Sequence, residues 1–454
     1  MHKSQASVNE ARRQRLTAVA AVVVLWAASA PIQAQDEAAA EPASTAEEAL
    51  FTLPPSPLEA RIEFERLTEE GALEEAIELA EHLLALTIAE NGETSTATGQ
   101  AQLQLADAQR RAERYDDAEI SYLNAIETFR TADGPFSELM IDPSIGLGDT
   151  YHADGQYMNA ISAYNEARTI QRRANGLLNE DQIPIMDRMT ESLQAMSMFI
   201  EADEQQQAAL TLVERIYGTG SVESLQAIYK YARWLRSAYL YFGEREQYER
   251  AIRIIRAEHG KDDPLLVEPW RGIGNSYREQ SLEDPRGASA LNSARELLEN
   301  LENPDPVALA QTLTDIGDWK TAFGPAGSGA DEYLAAWNLL ATAPDGDNLR
   351  ADWFARTRPR IVYQERFSSR GLAQNPNDPD ARSGHVLLRF DIDPFGRTEN
   401  VEILESVPPG FKDDAAARSV RLSRFRPQIE NGEFVLARSR AYMITFSYMS
   451  DDED

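Results

Sequence analysis

Five histidines, His2, His82, His152, His259 and His385, are the first residues to test for chemistry, and none stands at metal-ligand spacing from another. Cysteine is absent, which excludes disulfides, thiolate metal sites and a lipoprotein anchor near Ala34. No H-E-x-x-H, no glycine loop closing on Lys-Ser/Thr and no G-x-S-x-G occurs. Gly327-Ser328-Gly329 reads as a turn between paired helices. One spacing imitates a calcium loop, with Asp391, Asp393, Gly396 and Glu402 at positions one, three, six and twelve. Position five is Phe395, which offers no side-chain oxygen, and Pro394 stiffens position four. Alternating apolar residues on both sides already explain the two aspartates as the solvent face of a hairpin, and His385 beside them reads as a surface histidine. The expectation is recognition and not catalysis: no catalytic residue, no metal and no cofactor.

The elements that would carry recognition lie at the C-terminal end. Val386, Leu388, Phe390 and Ile392 alternate with Leu387, Arg389, Asp391 and Asp393, the period of a half-buried strand. Pro394-Phe395-Gly396 breaks the run, and Val401 and Ile403 share a face of the next strand, which makes a β-hairpin. From Phe411 to Leu422 the period becomes helical, with Asp413 and Asp414 at the N-terminus and Ala415, Ala416, Ser419 and Val420 on one face. A last strand sets Tyr442, Ile444, Phe446 and Tyr448 against Ala441, Met443, Thr445 and Ser447. The order is β-β-α-β, a small α+β unit.

The run G-H-V-L-L-R-F-D-I-D-P-F-G-R-T-E-N-V-E-I-L-E-S-V-P-P-G-F from Gly384, continued by R-F-R-P at Arg424–Pro427 and Asn431-Gly432, resembles the C-terminal domain of the TonB family of energy transducers. Two positions depart from that family. Ser423 stands where a tryptophan is usual, and Tyr363-Gln364 replaces a Tyr-Pro pair, followed by a polar insert from Gly371 to Ser383.

Upstream, Leu147-Gly148-x-x-Tyr151, Gly155-x-Tyr157-x-x-Ala160, Tyr164 and Ala167 place small residues where two antiparallel helices approach and tyrosines around that contact. This resembles a tetratricopeptide repeat. Gly71 and Ala76 repeat it upstream, as do Tyr115, Ala118, Tyr122 and Ala125. Further on, Tyr248 with Ala251 reads as a weaker copy, then Trp270-x-x-Ile273-Gly274-x-x-Tyr277 with Ala288, and a degenerate copy at Ala330 ending near Trp337. The region around Ala208 matches worst. Ala76, Ala118 and Ala160 recur every 42 residues, so six or seven long helical hairpins are expected, stacked as an α-solenoid. Gly148, Tyr151, Tyr157, Ala160, Tyr164, Ala118, Gly274 and Tyr277 are expected as packing residues.

The whole reads as an α+β multidomain chain. Residues 1–34 form an export signal, with Arg12, Arg13 and Arg15 before an apolar run from Leu16 to Ala30 and small-residue processing before Gln35. That run is short for a bilayer span. Residues 35–57 form a solvated linker, 58–342 the solenoid, 343–359 a second linker, 360–449 the TonB C-terminal-like domain and 450–454 an acidic tail. The net charge is −31, which argues against nucleic acid and anionic lipid surfaces. Nearly all of it lies upstream, because 15 Lys and Arg face 13 Asp and Glu from Ala351 to Met449.

The two resemblances imply a non-enzymatic periplasmic binding and scaffold protein whose partners are proteins. By resemblance, the edge of the last strand, through Arg440, Tyr442, Ile444, Phe446 and Tyr448, would take an extended segment of a TonB-dependent outer-membrane receptor by β-augmentation. Arg438 and Arg440 would steer an acidic segment to it. A second reading is a membrane-anchored energy transducer with an uncleaved N-terminus. A third is an envelope or cell-wall assembly factor without a transport role.

Overall fold

The computed structural model describes residues 57–355, 359–365, 367, 372–373 and 380–449. The export segment, the linker before residue 57, the acidic tail and most of the polar insert lie outside them.

Between residues 57 and 219 the chain forms four helical hairpins: α1 (Pro57–Glu70) with α2 (Leu73–Asn91), α3 (Thr96–Arg111) with α4 (Tyr115–Asp133), α5 (Ile141–Ala153) with α6 (Tyr157–Ala174), and α7 (Gln182–Ala195) with α8 (Phe199–Tyr217). A second unit, from residue 220 onward, contains three more: α9 (Leu225–Ser237) with α10 (Tyr241–Glu258), α11 (Val267–Glu279) with α12 (Pro285–Glu299), and α13 (Pro306–Phe323) with α14 (Ala330–Leu340). The hairpins are built on one contact. A side chain at Gly148 would run into the ring of Tyr164, and one at Gly146 into Tyr122. In the second unit Gly272 receives the ring of Tyr248 and Gly274 the side chain of Leu291. With Gly99 under Phe129 and Gly317 under Tyr333, four of the seven first helices thus carry glycine where an aromatic or leucine of a second helix closes down on it. Ala118 and Ala160 are fully buried at the same close approach, and Tyr164 and Tyr277 are buried beside it. Tyr151 and Tyr157 are half-buried.

The 42-residue period runs further than the alanines show. Glycines 92, 134, 176, 218 and 260 all take positive φ at the end of a second helix, where that conformation closes a helix without a Cβ penalty. Ala202 is fully buried in α8, one period after Ala160, whereas Ala208 is exposed. The weak region around Ala208 is therefore a regular hairpin read in the wrong register. The same correction applies to Tyr248 and Ala251, which stand where Tyr164 and Ala167 stand and not where Tyr157 and Ala160 do. In α10 the small-residue position is taken by Glu244, buried and ion-paired with Arg236.

Residues 343–359 are not a plain linker. Gly346–Phe354 is a further helix, α15, and Phe354 is buried with its ring edge-on to Tyr333 and Trp337 at 6.1 and 5.8 Å. The C-terminal module follows: β1 (Ile361–Tyr363), β2 (Ala381–Ile392), β3 (Thr398–Val407), α16 (Asp413–Leu422), β4 (Arg424–Phe425), β5 (Gln428–Glu430), β6 (Glu433–Val435) and β7 (Ala437–Met449). Its main sheet has the antiparallel order β3-β2-β7, with the pairs β1-β4 and β5-β6 beside it. The alternation predicted for β2 is observed. Val386, Leu388, Phe390 and Ile392 are buried against Ala416, Ala417 and Val420 of α16 and against Ile444 and Phe446 of β7. The helix face is turned by one position, Ala417 being buried where Ala415 was expected. Burying each large side chain here contributes about 1.5–3 kcal/mol.

Gly148→Ala is expected to destabilise the chain by about 1–3 kcal/mol, because the fully buried ring of Tyr164 has nowhere to move. Thermal unfolding of the full chain would check this. An unchanged midpoint would show that the glycine contact does not hold the hairpin.

Candidate protein-docking surfaces

Two surfaces bear on recognition, and one ion pair decides how the C-terminal module is held. Within the second unit, Arg426 of the R-F-R-P run donates Nε to Asp318 of α13 at 2.9 Å and Nη2 to its other oxygen at 2.7 Å. Its Nη1 donates to the Trp353 carbonyl at 3.2 Å. The Tyr333 hydroxyl completes the site by donating to Asp318 at 2.9 Å. Asp318 is 1% exposed and Arg426 11%. Burial alone would raise the carboxyl of Asp318, but the charge and hydrogen bonds of Arg426 outweigh it and hold it below the usual aspartate range. Arg278 of α11 donates to the Val362 carbonyl of β1 at 3.0 Å, and Ser281 to that of Gln364 at 3.3 Å. The turn between β2 and β3 lies against the α13–α14 turn, where a Cβ at Gly327 would meet the Phe395 ring at 3.1 Å. The module is therefore docked on the last hairpins.

Ser423, in place of the expected tryptophan, has a specific job. Its hydroxyl accepts the Glu365 N–H at 3.1 Å, while Ser419 donates to the Glu365 carbonyl at 2.8 Å. Two small side chains thus clamp the strand that carries Tyr363 and Gln364 onto α16.

The strand residues singled out for partner binding divide in a way that alternation explains. Ile444 and Phe446 are buried, and Tyr442 and Tyr448 are half-buried against the same core. Burial first of all pushes the Tyr442 hydroxyl up to about 12. These side chains belong to the module and are not offered to a partner. Arg440 donates to Gln428 of β5. The Ser447 carbonyl accepts the Ala373 N–H at 2.8 Å, so it points away from β2. Strand alternation turns the backbone of Ala441 and Met443 the same way. Among the described residues nothing bonds to those groups on that flank. Among the described residues β7 is thus an edge strand, covered at Ser447 and without a described partner on the outer flank at Ala441 and Met443.

The acidic residues of the apparent calcium loop are engaged elsewhere. Asp393 accepts the N–H groups of Phe395 and Arg397 at 2.9 and 2.8 Å, Asp391 those of Ser439 and the Asn400 amide, and Glu402 pairs with Arg389. His385 lies 3.2 Å from Glu405. Ser328, in the glycine-flanked turn, donates to the Lys320 carbonyl.

The second surface lies in the first unit. A polar cleft of about 400 Å³ opens between α5 and α7, lined by Asp149, His152, Tyr164, Asp187, Arg188 and Glu191. Arg188 donates to Asp149 at 3.0 Å, and the same carboxylate accepts the Tyr164 hydroxyl at 2.8 Å.

Residues 380–448 match the family described as Gram-negative bacterial TonB protein C-terminal. The module is a TonB C-terminal domain. Residues 105–173 match the tetratricopeptide repeat, so the TonB C-terminal domain follows a tetratricopeptide array. No curated protein matches the chain. Similar solved structures include a Podosopora anserina putative kinesin light chain with nearly identical TPR-like repeats, at 17% identity over 45% of this chain and 99% of that one (TM-score 0.38). Others are BtubC from P. vanneervenii, at 16% identity over 57% and 90% (TM-score 0.33), and the apo form of RapI, at 15% identity over 65% and 79% (TM-score 0.40). Both kinds of module found in the chain are interaction modules, which points to protein partners.

The R-F-R-P motif that holds Arg426 does not by itself point to Asp318 or Tyr333. The available signal was the Asp-to-Tyr spacing, which is the same in Asp149–Tyr164 and Asp318–Tyr333. Asp318→Asn would leave the Arg426 guanidinium buried without its counter-charge, a loss of about 3–5 kcal/mol. Urea unfolding followed by tryptophan fluorescence reads it, because Trp337 and Trp353 sit at this contact. The pH dependence has a definite sign. A depressed folded value means that the pair contributes fully above the ordinary aspartate value of about 3.9 and is lost as pH falls through the lower folded value. Acid unfolding of the parent chain should therefore be steeper than that of Asp318→Asn.

Proposed function

We propose that the chain is a non-enzymatic binding and scaffold protein of the bacterial periplasm. In this reading its tetratricopeptide hairpins dock one protein, and its TonB C-terminal domain engages an extended segment of a TonB-dependent outer-membrane receptor. The observation that carries the proposal is the outer flank of β7, where no described residue bonds the main chain of Ala441 and Met443. Backbone donors and acceptors at Ala441 and Met443 face away from β2, and an added strand would satisfy them. Specificity would come from the exposed face of β7 and not from Ile444 or Phe446, which are buried. Two outward-facing residues offer only a few ladder bonds, so the affinity would be modest. Among the described residues no helix is long and apolar enough to cross a membrane.

A receptor plug-domain peptide added to the full chain should slow amide exchange at Ala441 and Met443. Met443→Pro removes one outward N–H at an edge where proline is tolerated, and should weaken binding roughly three- to tenfold. Unchanged exchange on β7 would end this reading. Mass spectrometry of the protein from an envelope fraction should find a mature N-terminus at Gln35. An intact Met1 end would instead favour the membrane-anchored transducer.

A further inference from the structure

Part of the β7 flank that a partner strand would use is already taken by the chain itself. Phe367, Leu372 and Ala373 sit at the C-terminal end of that strand. The Phe367 ring stacks on Phe446 of β7 with centroids 5.9 Å apart and planes at 25°, and the Lys412 ammonium lies 5.6 Å from the Phe367 centroid. Leu372 packs against the core shared by β2, β7 and α16. Ala373, 5% exposed, donates its N–H to the Ser447 carbonyl at 2.8 Å. That carbonyl faces outward as Ala441 and Met443 do, roughly 13 Å beyond Met443 along the strand. A rung of the kind an added strand would make is therefore already made within the chain. Ala373 belongs to the polar insert, Gly371 to Ser383, by which the module departs from the TonB family. Pro376 and Pro379 follow it in the sequence, and neither has a main-chain N–H to give a ladder.

We propose that the Ala373 contact is autoinhibitory: it holds the β7 edge at Ser447 against a partner strand, and a strand that pairs with β7 along its length must first displace it. The inference rests on the receptor reading of β7. Two features suit the role. A single main-chain hydrogen bond is a weak hold, worth a factor of about three to ten in favour of the closed state. Phe367 and Leu372, partly buried against the core, keep the segment attached when Ala373 lets go. It therefore competes as a tethered strand at high effective concentration and closes again when the partner leaves. A binding-competent form that is only a fraction of the population lowers the apparent affinity by that fraction. The contact thus sets how tightly the edge binds without touching the partner.

The test titrates the full chain with the receptor plug-domain peptide and follows amide exchange by NMR. In the free chain the Ala373 amide should be protected. Saturating peptide should speed its exchange while slowing that of Met443. Ala373→Pro removes the donor at a residue outside every helix and strand, and should tighten peptide binding about three- to tenfold. Binding by Ala373→Pro together with a silent parent chain would equally support the contact as a block. The exchange measurement needs no variant, so it decides even where proline loosens the neighbouring core. Equal affinity in the two chains, or an Ala373 amide still protected in the complex, would overturn the proposal and leave the receptor reading standing. Binding by neither chain would end the receptor reading, and this inference with it.

Discussion

The C-terminal module is held by one buried ion pair whose every polar atom is accounted for. Asp318 and Arg426 are both withdrawn from water, which costs several kcal/mol per charge unless the geometry returns it. Here it does. Both carboxylate oxygens take a guanidinium N–H, Tyr333 adds a third donor, and the remaining Nη1 of Arg426 finds the Trp353 carbonyl. The first unit shows where this arrangement comes from. There Asp149 accepts from Tyr164 of its own hairpin and from Arg188 of the following one. At Asp318 the tyrosine is still supplied by its own hairpin, but no further hairpin follows. The arginine comes instead from the TonB C-terminal domain, which occupies the polar position that another repeat would have filled.

That substitution explains how a repeat array can end. Each hairpin buries its apolar stripe only against neighbours, so the last one needs a cover. α15 begins the cover with Phe354 against Tyr333 and Trp337, and β1 continues it through Arg278. The cost of the array's regularity is visible in its backbone. The turn inside each of the first six hairpins takes a positive φ, at Gly71, Glu113, Gly155, Ser197, Tyr239 and Ser281, one period apart, yet only two of these are glycine. At the other four an L side chain accepts a conformation that costs about 1–2 kcal/mol. Packing of the flanking helices therefore overrides local preference at those turns.

What could be read from the sequence follows from the same physics. The strands β2 and β7 were legible because one face is core and the other is not, so burial writes itself as alternation. The hairpins at Gly148 and Gly274 were legible because both the glycine and the tyrosine three positions on, Tyr151 and Tyr277, were kept. α8 was misread because its first residue is Phe199 and not tyrosine, although the glycines at 176 and 218 hold the register. α15 was read as a linker because Pro344, Gly346 and Asp347 punctuate its start, while its reason for being helical, Phe354 under Trp337, lies in tertiary packing. Arg426 and Asp318 are 108 residues apart, beyond the reach of any periodicity. At the proposed partner strand, taken by resemblance, alternation carries a different message. It marks the residues that face the core, and those differ from the residues whose backbone faces outward.

This division gives the docked domain two unlike sides. On one, Arg278, Ser281 and Arg426 fix the main chain of β1 and the strand after α16 to the helices by hydrogen bonds to backbone carbonyls and a buried carboxylate. On the other, β7 leaves Ala441 and Met443 with main-chain groups unmatched by described residues. Because β2 is paired with β3 along one side and β7 along the other, a strand added at β7 extends a ladder that is already continuous through the sheet. The sheet shares its core with Phe425 of β4, next in sequence to Arg426. A load on an added strand would pass through that core and into Asp318. In the proposed function the tetratricopeptide array is thus the support on which the receptor-binding edge is mounted, and the ion pair is the joint between them.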